Sequence, residues 1–418
     1  MKIEDIYQLY TKHFLVDTDT RTIRKNTIFF ALKGDNFNGN AFAIEALNQG
    51  ASYAIVDEEK YNNHTNIILV DDVLETLQKL AKHHRRVLNI PIIGLTGSNG
   101  KTTTKELINA VLSSTYKTTA TKGNLNNHIG VPLTLLSMTP KTELGIVEMG
   151  ANHKKEIAFL CTICEPDFGY ITNFGKAHLE GFGGIEGVIE GKSELYTYLK
   201  EHHKIAFINP QDVLQVEKTN NIQTIPFKKD LQFIAVNPFV KLSYHSNIIQ
   251  SNLIGKYNYT NIAIACTIGL HFKVSDTAIK NGIEDYTPEN NRSQIIKKTD
   301  NKIILDAYNA NPSSMKAALE NFDEIKEANK TVILGDMFEL GNTSLEEHQN
   351  IVDVVEGLHF NNCFFVGENF YQTKTKHLLF KTFEELLSHL KNNPLKHQSI
   401  LIKGSRGMRL ERLLDCIS

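Results

Sequence analysis

Leu95–Thr103 reads LTGSNGKTT. It sits between an apolar run, Ile90–Leu95, and a stretch that places Leu107, Ile108, Val111 and Leu112 on one helical face. The order strand, Gly-rich turn, helix is the context in which a G-K-[ST] ending reads as a phosphate loop. Gly97 and Gly100 let backbone N–H groups turn inward on phosphate oxygens, with Ser98, Asn99 and Thr103 completing the loop. Lys101 can reach the β- and γ-phosphates, and Thr102 can offer its hydroxyl to Mg²⁺. The N-terminus of the helix opening at Lys101 adds partial positive charge. Leu95 occupies the place of the usual first glycine, so the loop is a variant form. The segment implies a nucleoside triphosphate.

Working outward, strand-like runs end in polar residues: Leu144–Val147 before Glu148, and Phe168–Ile171 before Thr172 and Asn173. Alternation of such runs with helical stretches implies a parallel sheet, whose ligands gather at the carboxyl ends of the strands. Glu148 is placed to hold Mg²⁺ directly or through water. His178 and Glu180 follow another strand end; read alone, His178 is either a ligand for a second metal ion or a solvated loop histidine. Lys192, in EGKSEL, reads by itself as a surface lysine at the start of a helix. Lys204 to Ser246 has short alternating runs and few helix signals, and is expected to be an antiparallel appendage of the same domain. Asn258–Leu270 returns to helix.

On the N-terminal side, Thr27–Leu32 (TIFFAL), Ala54–Val56 and Ile67–Val70 read as strands. A helix over Ala41–Gln49 closes with Gly50 at C′, and Val73, Leu74, Leu77, Leu80 and Ala81 mark a second helix. On the C-terminal side, Lys302–Leu305, Thr331–Leu334, Cys363–Val366 and Ser399–Ile402 are short apolar strands separated by helical segments, a doubly wound pattern. The fold class is therefore α/β in three domains: a small mixed α/β N-terminal domain (1–88), a central P-loop parallel-sheet ATPase domain with an antiparallel appendage (89–287), and a C-terminal doubly wound, Rossmann-like domain (288–418).

The 418 residues fit about three domains at ~150 residues each. Lys plus Arg (45) against Asp plus Glu (47) leaves a net charge of −2, which argues against a nucleic-acid partner. The start, MKIEDIYQLY, lacks the basic and apolar regions of a signal peptide, and no apolar run reaches the ~20 residues of a membrane span. A cytoplasmic protein with no membrane insertion is expected. The 5 cysteines form no disulfide framework, and Cys161 and Cys164 are read as two half-buried thiols. His83-His84 and His202-His203 are read as surface pairs.

These blocks together resemble the Mur ligases of peptidoglycan synthesis along the whole chain. The matching segments are Thr96–Thr102, Thr121–Pro132 (TKGNLNNHIGVP), Glu148-Met149-Gly150, Thr172–Glu180 (TNFGKAHLE) and Gly255–Ala265 (GKYNYTNIAIA). Asp306–Ser314 (DAYNANPSS), Leu334–Gly341 (LGDMFELG) and Ile402–Arg406 (IKGSR) point to the branch acting on a UDP-linked muramoyl tripeptide. The resemblance implies an ATP-dependent ligase joining D-Ala-D-Ala to UDP-muramoyl-tripeptide through an acyl phosphate. It implies two Mg²⁺ ions held by Thr102, Glu148, His178 and Lys192, the lysine as a carbamate. Lys101, His178, Lys192 and Arg292 become the catalytic set. Asn258, Asn261, Arg292 and Asp306 are expected on the nucleotide. Thr20, Arg21, Lys33, Gly34, Asn36, Asn124 and Asn127 are expected on the UDP substrate. Asn309, Asn311, Lys403, Ser405 and Arg406 are expected on the dipeptide side, with Arg409 equally readable as a solvated helix start. Glu180, Asp336 and Glu339 are the candidate general bases if His178 is a ligand. A monomer is implied, with roles in cell-wall biogenesis, cell shape and division.

Rival readings part from the sequence at identifiable places. A sister ligase adding the third peptide residue would carry an Asp-(Asn/Asp)-Pro-Arg segment in the last domain, and none occurs. A folylpolyglutamate synthase would have its phosphate loop close to the start. A kinase or switch would not need the Asp306–Ser314 block, and a dead binding protein would not need Lys101, Thr102, Glu148 and His178 together.

Overall fold

A computed structural model describes residues 1–417 apart from 246 and 290. In the N-terminal region a parallel sheet takes the order Val16–Asp17, Ile28–Phe30, Tyr53–Val56, Ile67–Leu69. Side chains alternate across it as a pleated strand requires. Phe29, Ala54 and Val56 pack on Ala43 and Ala46, whereas Ile28, Phe30 and Ile55 share a core with Leu77 and Leu80. The helix carrying those leucines, Val73–Leu88, is capped by the Asp72 carboxylate on the Glu75 N–H and ends at Asn89 in the left-handed conformation.

That helix also docks the N-terminal region onto the central one. His84 is fully buried, bonded to the Tyr7 hydroxyl (3.2 Å) and the Met138 carbonyl (3.0 Å), so the surface reading of His83-His84 fails for His84. Arg85 reaches Asp167 at 2.7 Å and the carbonyls of Cys164 and Glu165. Burial against another domain is invisible in a local HH pair. His202, by contrast, is exposed, stacked on Tyr198.

The central sheet is wholly parallel, in the order Gln223–Pro226, Ile205–Ile208, Phe168–Ile171, Ile92–Thr96, Leu144–Glu148, Thr118–Ala120. Its first two strands correct the expectation for Lys204 to Ser246. Ile205–Ile208 and Gln223–Pro226 flank a short helix, Val213–Lys218, and extend the parallel sheet. Only Gln232–Val236, Phe239–Tyr244 and Asn247–Ile254 form the antiparallel appendage; Ser246 lies outside the described residues. Short alternating runs suit an edge of either sheet type, which is why pattern alone misassigned them. Cys161 and Cys164 end the helix Glu156–Cys164 and are fully buried rather than half-buried.

The third sheet runs Gln294–Lys298, Asn301–Asp306, Ser399–Lys403, Lys330–Gly335, Asn362–Val366, Leu378–Phe380, antiparallel only in its first pair. The two edge strands escape a reading by pattern because they are partly exposed and their apolar stretches, Ile295-Ile296 and Leu378–Phe380, are only two and three residues long. The carboxyl ends of Asn301–Asp306 and Ser399–Lys403 face the carboxyl ends of the central sheet, and the cleft lies between them.

Candidate active site at the junction of the central and C-terminal sheets

A cavity of about 1010 Å³ is lined by the phosphate loop, Glu148, Asn258, Asn261, Arg292, Asp306, Asn309 and Asn311, among others. Its floor is the turn after Ile92–Thr96. Gly97 has φ +140°, and a Cβ there would stand 2.9 Å from the Thr172 N and closer still to the Thr172 hydroxyl. Gly100 has φ +78° and would meet Asn261 at 3.0 Å. The loop is thus pinned by the neighbouring strand end: Thr172 Oγ1 donates to the Asn99 carbonyl (2.6 Å), and the Asn173 amide donates to it too (3.0 Å). Lys101 Nζ donates to the carbonyls of Gly97 (2.7 Å) and Ser98 (3.2 Å). Burial pushes its pKa down, Arg292 pushes the same way, and Glu148 opposes them.

Glu148 is 1% exposed at the end of its strand. Its Oε1 accepts from Asn126 Nδ2 (2.8 Å) and, more distantly, from Thr102 Oγ1 (3.4 Å). Its Oε2 is buried without a partner among the described residues. An orphaned carboxylate oxygen next to a hydroxyl is a donor set suited to Mg²⁺, a hard cation that takes oxygen ligands.

Lys192 is not at a helix start. It lies midway along Ile185–Glu201 and is fully buried, so the surface reading is wrong. Its Nζ donates to the Ala151 carbonyl (2.9 Å) and stands 4.8 Å from the centre of the Phe182 ring. Burial drives its pKa well below the ordinary lysine value, and the Lys101 charge adds to the effect. His178, at φ +53°, bonds through Nδ1 to the Glu339 carboxylate, which that bond holds below the usual range. Among the described residues no three His, Cys, Asp or Glu side chains form a metal-binding cluster, so a second cation site needs a further anionic ligand.

Asn258 and Asn261 form a buried amide ladder under the loop. Asn258 Nδ2 donates to Ile254 O (2.7 Å), Asn261 Nδ2 to Asn258 Oδ1 (2.8 Å), and Thr104 Oγ1 to Asn261 Oδ1 (3.0 Å). From the third domain, Asn311 caps the helix Pro312–Glu324 and extends Nδ2 to Asn99 Oδ1 (2.7 Å). Further bonds cross the junction: Lys176 N to Ser313 Oγ (2.9 Å), Lys176 to Glu347 (2.5 Å), and Glu180 N to the Glu339 carbonyl (3.2 Å). Arg292 lies 3.6 Å over the Tyr308 ring, flanked by Asn291 and Ser293 at φ +58° and +49°.

The remaining expected residues have varied surroundings. Asp306 is paired with buried Lys403 (2.6 Å), which leaves Lys403 no lone cation. Ser405 turns inward to accept from the Phe338 N–H (3.0 Å) and does not line the cavity. Arg406 is exposed beside Tyr308, 5.2 Å from its ring. Asn309 turns its Oδ1 to the Ala310 N–H while lining the cavity. Asp336 is buried and accepts from the Asn369 backbone and amide and from Phe370 N, so it is no base for the cleft. Asn124 and Asn127 line the cavity, but Thr20, Arg21, Lys33, Gly34 and Asn36 do not. Those five belong to the N-terminal face, where Arg21 pairs with Asp19 (2.6 Å) and Lys33 with Asp57 (3.0 Å). Asn126 and Tyr308 were passed over in the sequence although both stand inside quoted blocks; an asparagine-rich loop does not reveal which amide points inward.

The sequence matches the family patterns described as Mur ligase family, catalytic domain (residues 13–85), Mur ligase middle domain (95–269) and Mur ligase, glutamate ligase domain (291–406). It is 35% identical over 423 residues to the UDP-N-acetylmuramoyl-tripeptide–D-alanyl-D-alanine ligase of Bacillus subtilis strain 168, covering 96% of this chain and 92% of that one. A crystal structure of MurF from Acinetobacter baumannii superposes with TM-score 0.83 at 31% identity, covering 96% and 92% of the two chains. The MurF ligase of Thermotoga maritima in complex with ADP superposes with TM-score 0.84 at 27% identity, covering 100% and 98%.

Proposed function

The chain belongs to the Mur ligase family, and from that premise we propose how its cleft works. It is an ATP-dependent ligase that adds D-alanyl-D-alanine to UDP-N-acetylmuramoyl-tripeptide in peptidoglycan synthesis. The observation that carries the mechanism is the meeting of the phosphate loop with the Asp306–Ser314 segment in one cavity, Asn311 bonded to Asn99.

A carboxylate is a poor electrophile because its oxygen leaves only as a very basic group. Transfer of the γ-phosphoryl of ATP to the tripeptide carboxylate gives an acyl phosphate with a good leaving group. The dipeptide amine then attacks, and the tetrahedral oxyanion collapses to amide and phosphate, with ADP left behind. Two anions must meet in the first step, so fixed positive charge is required where negative charge moves. Lys101 supplies it from the loop, and Arg292 from the start of the third domain. The bonds from Lys176, Glu180 and Asn99 to the third domain support closure that keeps water from the acyl phosphate.

Thr102 and the unpartnered Oε2 of Glu148 would hold one Mg²⁺, which neutralises phosphate charge when bound. A second ion would take His178 and Lys192 once the lysine is carbamylated. The buried, uncharged amine that the Lys192 environment favours is the form that adds carbon dioxide. We assign the proton leaving the dipeptide ammonium to the carboxylates beside His178, Glu180 and Glu339. Arg406 is left as the cation for the dipeptide carboxylate, Lys403 being paired with Asp306. Lys403 and Asn309 keep a place on the cavity wall, while Ser405 acts through the Phe338 backbone. Thr20, Arg21, Lys33, Gly34 and Asn36 of the N-terminal domain, with Asn124 and Asn127 of the cavity wall, take the UDP substrate. We keep the division into 1–88, 89–287 and 288–418, and read the protein as a cytoplasmic monomer serving cell shape and division. No described helix is long and apolar enough to cross a membrane.

The test is phosphate release from ATP and Mg²⁺ with UDP-muramoyl-tripeptide and D-Ala-D-Ala, supplied together and separately. Release that needs both, with a matching amide product, is expected. Release supported instead by UDP-muramoyl-dipeptide with a third amino acid, or by a folate with glutamate, would overturn the substrate assignment.

A further inference from the structure

Glu148 has two carboxylate oxygens in different circumstances, and the difference traces to Asn126. Rotation about the last bond of a glutamate is soft, so a buried carboxylate takes the plane that its hydrogen-bond donors impose. At Oε1 the short donor is the Asn126 amide (2.8 Å), and the Thr102 hydroxyl is 3.4 Å away. That leaves Oε2 without a partner among the described residues, on a side chain that lines the cavity.

Asn126 is itself built into place. Its carbonyl accepts from the Gly150 N–H (2.7 Å) and its N–H donates to the Asn124 carbonyl (2.8 Å). Gly150 bears no side chain where one would be needed to push Asn126 away: a Cβ would lie 2.8 Å from Asn126 Cγ. At the base of the same loop, a Cβ on Gly130 would overlap the Leu125 backbone. Two glycines therefore admit the close approach that puts this amide against Glu148. The Glu148 backbone is fixed from the other side, its N–H donating to Thr121 Oγ1 (2.9 Å) while buried Lys105 donates to the Thr121 carbonyl (2.7 Å).

We infer that Asn126 is a positioning residue for the metal-binding carboxylate: its amide occupies Glu148 Oε1 and so presents Oε2 to the cation. The inference rests on the reading of Glu148 as a Mg²⁺ ligand. A hydrogen bond from a neutral amide to a carboxylate is among the stronger ones, and losing it frees the carboxylate to turn away.

The experiment measures Mn²⁺ binding by electron paramagnetic resonance on the full-length protein with ADP, for wild type, Asn126→Ala, Asn126→Leu and Glu148→Gln. The leucine variant keeps the branched outline of the asparagine side chain while removing its hydrogen-bonding atoms, so it answers the question should the alanine variant not fold. Both Asn126 variants are expected to bind Mn²⁺ roughly tenfold more weakly. In turnover, the Mg²⁺ concentration for half-maximal rate should rise by the same factor, with kcat at saturating Mg²⁺ within about threefold of wild type. Mn²⁺ affinity unchanged in the Asn126 variants but abolished in E148Q would overturn the positioning role alone. Mn²⁺ binding that survives E148Q would overturn the metal reading beneath it.

Discussion

Gly97→Ala is the substitution whose effect is most directly set by the geometry. At φ +140° an L-residue is strained, costing about 1–3 kcal/mol. The added methyl would also press on Thr172, 2.9 Å from its backbone nitrogen and nearer its hydroxyl, and overpacking of this kind costs about 1–3 kcal/mol. Thr172 cannot move freely, because its Oγ1 holds the Asn99 carbonyl at 2.6 Å and its N–H pairs with the Thr96 carbonyl at 2.9 Å. The strain therefore passes into the loop itself, and we expect ADP affinity to fall by about 2–4 kcal/mol, roughly 30- to 900-fold. Calorimetric titration with ADP gives the number, alongside a thermal melt that reports whether the fold survives. A second variant, Thr172→Ala, separates the two contributions. Alone it loses one hydrogen bond, about 1 kcal/mol. Combined with Gly97→Ala it removes the hydroxyl clash but not the backbone strain, so the pair should be less damaging than the sum by about 1 kcal/mol. Gly97→Ala binding ADP within threefold of wild type would refute the reasoning, as would strict additivity of the pair.

Arg292→Ala should lower kcat by about 10- to 100-fold while weakening ATP binding far less, because the guanidinium serves charge that develops during transfer; equal loss in both, measured by steady-state kinetics and ATP titration, would end the role given to it. If Lys192 works as a carbamate, activity should fall when carbon dioxide is stripped from the buffers and return with bicarbonate, and a Lys192→Ala protein should respond to neither. Burial holds the His84 pKa below its ordinary 6.5, so the unfolded chain binds the extra proton more readily. Stability is then fully present above that value and is lost as pH falls through and below it. Thermal melts from pH 8 to pH 5 should show that slope in wild type and a shallower one in His84→Gln; parallel slopes would dismiss His84 as the cause.

The contrast between Lys101 and Lys192 shows what can be read from a string of residues. Lys101 is legible because its function depends on local geometry: two glycines, a lysine and a threonine within one turn, strand before and helix after. The same holds for Glu148 at a strand end and for the amphipathic faces of Val73–Leu88 and Lys101–Leu112, whose buried positions follow the helical period. Lys192 read as a surface residue because nothing nearby in sequence announces that Ala151 and Phe182 will close over it.

What the sequence determined by itself was the α/β class, the phosphate loop and the family, since each rests on period, turn chemistry or contiguous blocks. Tertiary structure alone decided which side chains share a space. It pairs Lys403 with Asp306; it commits Asp336 to the Asn369–Phe370 turn; it turns Ser405 toward Phe338. It also buries His84 between two domains and selects Asn126 from a run of asparagines to hold Glu148. Each of these depends on contacts between segments far apart in the chain. Such contacts are fixed by how sheets and helices pack against one another, and residue spacing along one segment does not encode them.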